Sequence, residues 1–423
     1  MPDSHNINKL TDDLFRREAG KMTSVLTGIF GIKQLELAED IVQETFISAI
    51  NNWRLNGVPD NPPAWLMQVA KNKAIDQLRK KRNTIDLDIS DQEKTLLRSG
   101  YTFIPVFDKI WNQIKIEDEM LQMMFACCHE GISIENQITL MLKTLCGFST
   151  LEISRALITA EDTISKRLYR TKEFFRSNHI KPELADPSHY ESKLDSVLKA
   201  IYLLFNEGYL STHSDQSIRK DLIHQAIYLG SILVDHPRTN TPKVNAAMSL
   251  MCFHAARLDS RLDAFGDIIL LAQQDRSLWD LSLIAKGMFY LDQSAQGDDI
   301  TTYHLEAAIA SEHCIAPSYY RTDWKKILQI YDWLESIQPN PIVALNRMVA
   351  YSKCHDASST LDTLKQSSFL SQWQIQPVYH ALLGDLFASS DASVAKEHYL
   401  KASGLTHSNA EKKLMLKKME AIS

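Results

Sequence analysis

The sequence predicts an all-α protein, and three observations carry that expectation. Apolar residues recur at three- and four-residue spacing along almost the whole chain, and no stretch alternates apolar and polar as a half-buried strand would. Helix punctuation is frequent: Gly31 and Gly147 follow apolar runs, Pro63 suits a first helical turn, and Ser149-Thr150-Leu151-Glu152 has the hydroxyl and carboxylate spacing of a capping box. Near the C-terminus, Pro341-Ile342-Val343 returns as Pro377-Val378-Tyr379, and Asp356-Ala357-Ser358 returns as Asp391-Ala392-Ser393. Those offsets lie close to the ~34-residue period of a tetratricopeptide unit, a helical hairpin that buries its apolar face only against neighbours.

A chain of 423 residues suggests about three domains. The net charge of −6 is unlike that of a nucleic-acid binder, but the sum hides a local patch. Lys71, Lys73, Arg79, Lys80, Lys81 and Arg82 face only Asp76 across residues 71–82, a cationic footprint of the kind phosphates attract. Six cysteines form no CxxC pair, so neither a disulfide framework nor a zinc site is expected, and Cys127-Cys128-His129 reads as core. The N-terminus lacks the apolar stretch of a signal peptide, and no run reaches the ~18 apolar residues of a membrane span. A soluble, cytoplasmic protein in reducing surroundings is the expectation.

The elements follow in order. Residues 1–9 are polar and are expected to be loose. A first amphipathic helix carries Leu14, Val25, Leu26 and Ile29. In the next, Leu37 to Ala49, the residues Val42, Phe46 and Ala49 make the buried stripe, while Asp40, Gln43 and Glu44 share an exposed acidic face. After Trp53 and a loop with Asn56-Gly57 and Pro59, a helix from Ala64 to Lys81 buries Trp65, Leu66, Val69, Ala70 and Leu78. It exposes Asn72, Lys73, Asp76 and Arg79.

Residues 133–176 read as two or three short helices. Ile138, Leu142 and Leu145 mark one, and the capping box opens another, Leu151 to Leu157, with Ile153 and Ala156 inward. A third follows Ile158-Thr159-Ala160, with Ile164, Leu168 and Phe175 on one stripe and Thr163, Lys166, Arg167 and Arg170 on the other. A short helix, a tight turn and a helix with one basic face is helix-turn-helix geometry, in which the second helix enters the major groove.

The pattern AEDIVQETF, a Trp, and NPPAWLMQVAKNKAIDQLRK resembles region 2 of an extracytoplasmic-function sigma factor of bacterial RNA polymerase, and the helix-turn-helix resembles its region 4. The resemblance implies region 2 over 10–82, a linker over 83–116 and region 4 over 117–178. It also implies roles. Asp40, Gln43 and Glu44 would dock on core polymerase; Asn72, Lys73, Asp76 and Arg79 would lie along the −10 promoter element; Thr163, Lys166, Arg167 and Arg170 would read the −35 element. The loop before Pro62 would receive an unstacked base. Melting costs about 1–2 kcal/mol per step, which aromatic and basic side chains can partly recover on an unpaired strand. Trp53 and Trp65 read as core anchors before they read as such platforms.

From 191 to 423 a tetratricopeptide-like helical extension is expected, with helices near 218–234, 242–258, 277–291, 301–314 and 323–337. The stretches LLFNEGY, QDRSLWD and TDW resemble hallmarks of the sigma-factor subgroup that carries such an extension, which implies a regulatory part. Asn206, Glu207, Asp275 and Arg276 would form either an internal polar brace, the favoured role, or a groove for a protein or small-ligand partner. No P-loop, GxGxxG, GxSxG or HExxH is present, so no enzyme, cofactor or metal is expected. The alternative is a free-standing helix-turn-helix regulator with a sensing repeat domain. The acidic face argues against it, because a repressor has no use for one.

Overall fold

The computed structural model describes residues 4–80, 103–157, 159–178, 190–210, 218–297, 299–406 and 408–422. Of the expected linker over 83–116, residues 83–102 lie outside the described residues, as do Lys81, Arg82, Ile158 and the proline-bearing stretch 181–189. Among those described, regular structure is helical, apart from an isolated β-bridge between Leu262 and Ile268.

The first helices are α1 (Ser4–Phe30), α2 (Leu35–Asn56), α3 (Pro62–Lys80), α4 (Phe103–Gln113) and α5 (Ile116–Ala126). Next come α6 (Ile134–Thr144), α7 (Thr150–Ala156), α8 (Glu161–Ser177), α9 (Tyr190–Tyr209) and α10 (Lys220–Asp235). Then follow α11 (Pro242–Ala255), α12 (Leu281–Ser294), α13 (Thr302–Ile315), α14 (Trp324–Ile337) and α15 (Pro341–Cys354). The chain ends with α16 (Ala357–Gln366), α17 (Leu370–Trp373), α18 (Pro377–Phe387), α19 (Ala392–Leu405) and α20 (Asn409–Glu420). The described chain divides into two compact units, Met1–Gly208 with Arg219–Thr239, and Tyr209–Ile218 with Asn240–Ser423.

In the first unit, α1, α2 and α3 enclose Leu26, Ala38, Ile41, Ala49, Trp53 and Leu66, and Phe107 of α4 completes that core. The N-terminus corrects the expectation of a loose tail, since α1 is helical from Ser4. Ile7, Thr11 and Leu14 lie at i, i+4 and i+7 and are all buried, so the stripe continues past the polar letters between them. Gly31 ends α1 at φ 80°, a left-handed conformation that glycine adopts without a Cβ penalty.

In the second unit, α11 is buried nearly end to end. Helix α12 crosses it at Gly287, whose carbonyl accepts from Ser249 Oγ at 2.8 Å. A Cβ at Gly287 would stand 2.7 Å from the Phe253 ring, so only glycine permits this approach. The repeated letters land on matching structural positions. Pro341 and Pro377 open α15 and α18, and Asp356 and Asp391 cap α16 and α19 by accepting from Ser359 N and from Ser393 N and Val394 N. Ala344, Leu345, Met348, Trp373, Leu382 and Leu383 share one core there.

Candidate nucleic-acid interface

Helix α2 presents Asp40, Gln43 and Glu44 on one exposed face, while Ile41, Val42, Thr45, Phe46 and Ala49 are buried on the other. Ile47, 58% exposed, extends that ridge by one turn, an apolar group within a charged surface. The periodicity alone placed the three polar residues here, and it would also have placed Ile47.

On α3, Asn72, Asp76 and Arg79 are exposed, and Gln68 donates to Asn72 Oδ1 at 3.2 Å. Lys73 is half-buried and pairs with Glu44 at 3.3 Å, so one contact ties the α3 surface to the α2 ridge. Lys71 does not belong to the cationic footprint. It is 8% exposed and its ammonium meets Asp108 of α4 at 2.7 Å. Lys71 stands at i−3, i−4 and i−7 from the buried Ala74, Ile75 and Leu78, so its place on the inner stripe was there to be read. Trp53 is fully buried, with Trp65 half-buried at 5.5 Å between ring centroids, which makes the pair part of the core.

The helix-turn-helix is α7 and α8. Its capping box is complete. Ser149 N donates to Glu152 Oε2 at 2.7 Å, and Glu152 N donates to Ser149 Oγ at 3.2 Å. Helix α8 buries Ile164, Leu168 and Phe175 and turns Thr163, Lys166 and Arg170 outward, with Arg167 half-buried. Lys166 lies 3.5 Å from Asp162 one turn back, an exposed pair that solvent screens. Tyr169, not singled out from the sequence, is 67% exposed beside Arg170. The cysteines behind this surface are core groups. Cys127, Cys128 and Cys146 are buried, and burial pushes the thiols of Cys128 and Cys146 up to about 12.

Glu152 has a second task that no local pattern announces. Its Oε1 accepts from Arg219 NH1 at 2.5 Å and from Arg16 NH1 at 3.1 Å. Arg219 precedes α10 and its side chain is 4% exposed; Arg16 belongs to α1. Asp221 joins the group, 3.4 Å from Arg219 and 3.7 Å from Arg16. Burial alone would raise the Glu152 carboxyl, but the Ser149 backbone N–H, the two guanidiniums and the Ser149 hydroxyl together bring it down to about 2. Two further pairs join α8 to the start of α2, Lys172 with Glu39 and Arg176 with Glu36. These pairs place α7 and α8 against α1 and the start of α2 within one compact unit. Glycine makes the approach possible. A Cβ at Gly20 of α1 would stand 2.3 Å from the Leu145 carbonyl oxygen.

Asn206 is half-buried and Glu207 buried near the end of α9, in the first unit. Gly208 follows where a Cβ would lie 2.9 Å from the Arg219 carbonyl oxygen. Asp275 and Arg276 belong to the second unit. Asp275 is exposed and caps a single 3-10 turn, accepting from Ser277 N at 2.9 Å and from Ser277 Oγ at 2.7 Å. Arg276 stacks 4.2 Å from the Trp279 ring and donates to the carbonyls of His313 and Ala316 at 2.9 and 2.8 Å. Arg257 lies 5.9 Å from the same ring, and Arg261 lies 3.6 Å from the Tyr209 ring.

Comparison with known proteins bears on both halves. Residues 14–84 match the sigma-70 region 2 family, and residues 193–295 match a family of unknown function, DUF6596. An uncharacterized protein of Rhizobium meliloti is 32% identical over 328 residues, 76% of this chain and 75% of that one. The ECF RNA polymerase sigma factor SigX of Bacillus subtilis is 22% identical over 37% of this chain and 78% of its own length. The ECF RNA polymerase sigma factor SigL of Mycobacterium tuberculosis is 29% identical over 31% of this chain and 68% of its own. No solved structure matches the chain. No helix among the described residues is long and apolar enough to cross a membrane. A sigma-70 region 2, a following helix-turn-helix and these relatives together make the chain a member of the extracytoplasmic-function sigma factors of the sigma-70 family, in a form that carries a C-terminal extension.

Proposed function

We propose that the chain selects promoters for core RNA polymerase in the cytoplasm, docking through Asp40, Gln43 and Glu44 and touching DNA through two separate surfaces. The carrying observation is the α2 ridge. Three polar side chains stand exposed on one face of a helix whose other face is core, Glu44 also pairing with Lys73, and such a ridge suits a basic protein surface. On α3, Asn72, Lys73, Asp76 and Arg79 face the −10 element, and Lys80 adds charge that holds phosphate without reading sequence. On α8, Thr163, Lys166, Arg167 and Arg170 meet base edges and backbone at the −35 element. Such a subunit works by binding and positioning and needs no catalytic group, cofactor or metal.

Run-off transcription with purified core polymerase on a randomised promoter library tests this. Product that depends on the chain is expected; its absence from every template overturns the proposal. Asp40→Arg should abolish core association, measured by size-exclusion co-elution, with helical circular dichroism retained.

The extension acts as the regulatory part. Its first helices support this, since α9 and α10 belong to the same compact unit as the sigma regions and α10 opens beside the arginine that holds Glu152. A protein or small ligand acting on the extension thus has a short mechanical path to the DNA-reading helices.

A further inference from the structure

The stretches LLFNEGY, QDRSLWD and TDW lie far apart in the chain, and the second unit brings a residue of each to one place. Tyr209, the last residue of α9, belongs to that unit, and its hydroxyl accepts from Arg257 NH2 at 3.0 Å. Trp279 supplies a ring that faces both Arg257 and Arg276, at 5.9 and 4.2 Å. Trp324, which opens α14, sets its ring 5.3 Å from that of His313 near the end of α13. His313 in turn gives its carbonyl to Arg276 at 2.9 Å. What these contacts gather is positive charge.

Cations drawn out of water lose hydration and repel one another, so such a group is costly unless something offsets it. The cost shows on the neighbouring histidines. Burial first, and then Arg257, Arg261 and His313, holds His254 well below its ordinary value, and burial followed by Arg257 and Arg276 brings His313 down to about 4. Three donors are also left over. Arg257 Nε, Arg276 NH2 and His313 Nδ1 are shielded from solvent and have no hydrogen-bond partner among the described residues. Arg257 as a whole is only 9% exposed. Each buried donor without an acceptor bears the full cost of its desolvation, and native proteins keep few of them. The rest of each guanidinium is already held. Trp279 packs against both, Tyr209 takes one N–H of Arg257, and the carbonyls of His313 and Ala316 take NH1 of Arg276. The free N–H groups are thereby fixed in advance, which is how a binding site keeps the cost of ordering low.

We propose that this cluster binds the carboxylate group of a small organic acid, taken between Arg257, Arg276 and His313. A carboxylate has two oxygens and about four lone-pair sites, enough for all three donors, and its plane matches an arginine fork. It carries a single negative charge, so it sheds less hydration on entry than a doubly charged phosphate group. Arg276 is the half-buried member and sits on a single turn between the exposed Asp275 and Ser277, so the ligand approaches from that turn. Use of the site as a signal rests on the regulatory reading above, whereas the binding itself is a property of the second unit and does not.

The test is titration of the full chain with sodium acetate and with sodium succinate, followed by tryptophan fluorescence and calorimetry, beside sodium chloride and sodium phosphate at matched ionic strength. Saturable one-site binding of at least one of the two acids is expected, with chloride and phosphate weaker by about tenfold or more. Arg257→Lys and Arg276→Lys keep the charge but lose the fork, and each should weaken binding by about tenfold or more with helical circular dichroism unchanged. Lys365→Ala, on an exposed face of α16, should leave binding as it was. His313, followed by NMR of isotope-labelled histidine, should titrate higher in the carboxylate-saturated protein than in the free one, because the bound negative charge opposes the two arginines. A purely structural brace would give no such shift. Absence of saturable binding by either acid, an equal response to chloride, a preference for phosphate, or binding that survives both lysine variants overturns the proposal. Carboxylate binding that leaves run-off transcription unchanged would remove the regulatory reading and leave the site standing.

Discussion

The two units bury arginine in opposite ways. In the first, Arg219 is 4% exposed at the side chain and meets a carboxylate at 2.5 Å. In the second, Arg257, Arg261 and Arg276 lie against the rings of Tyr209 and Trp279 and donate to hydroxyl and carbonyl oxygens. An ion pair couples two groups that each become costly when the other leaves. A cation on an aromatic face couples to a quadrupole and to packing, and the ring remains a satisfied apolar group when the cation goes. The first arrangement suits a contact that must be made or broken as a unit. The second suits a permanent brace.

The sharpest way to break this contrast is at Trp279, 5% exposed, whose Nε1 donates to Ser260 Oγ at 2.8 Å. Trp279→Ala removes the ring serving both Arg257 and Arg276 and should destabilise the second unit by about 4 kcal/mol. Hydrogen exchange read by peptide separates the units, and protection should fall in α11 and α13 while α1 to α3 keep theirs. Equal loss in the first unit would show that the brace is not local. Arg219→Ala comes next, at about 3 kcal/mol in the first unit, because it uncovers a buried carboxylate that Arg16 only partly compensates. The same exchange experiment should show α7 and α10 loosening, with α11 to α14 unchanged.

Acid should distinguish the units by window, each effect being at most about 3 kcal/mol by linkage. Burial, then Arg257 and Arg276, bring His313 down to about 4 from an ordinary 6.5. A group depressed on folding supports the fold above its unfolded value, and that support drains as the pH falls toward the folded one. The second unit should therefore weaken between about pH 6.5 and 4. Glu152 is held at about 2 against an ordinary 4.5, so its contribution is present above 4.5 and drains between there and 2. Exchange protection measured along an acid series should fail first in the second unit. His313→Gln should shrink the upper window and leave the lower one unchanged, the remainder coming from His254, which burial and then Arg257 also hold below its ordinary value.

Much of this was legible in the sequence because it is local. The helices, the capping box, the apolar stripe of α8 and the outward face of Asp40, Gln43 and Glu44 all follow from spacings of three and four. The repeated Asp-Ala-Ser turns fell on helix caps for the same reason. What was not legible depends on residues far apart in the chain. Arg16 and Arg219 reach Glu152 across 136 and 67 residues, and a capping-box carboxylate already has a sufficient local explanation. Lys71 was misplaced by its charge, although its spacing was right. Asp275 and Arg276, adjacent in a distinctive stretch, suggested a pair, whereas adjacent residues on a 3-10 turn point apart. One caps the turn and the other stacks on Trp279.

The smallest effect is the most diagnostic of shared use. Ser149 and Asp356 are both N-caps, each accepting from the backbone of the first helical turn. Replacing either by alanine should cost about 1 kcal/mol, measured by urea denaturation with exchange to localise it. They should differ in company. Ser149 also donates to Glu152 Oε2 at 2.8 Å, and Glu152 is the carboxylate that Arg219 holds. Ser149→Ala and Arg219→Ala act on one charge and should combine non-additively by roughly 0.5 kcal/mol or more, whereas Asp356→Ala with Arg219→Ala should add to within about 0.3 kcal/mol. Additivity in both pairs would mean that the two oxygens of Glu152 act independently, and that cap and ion pair merely happen to share a side chain.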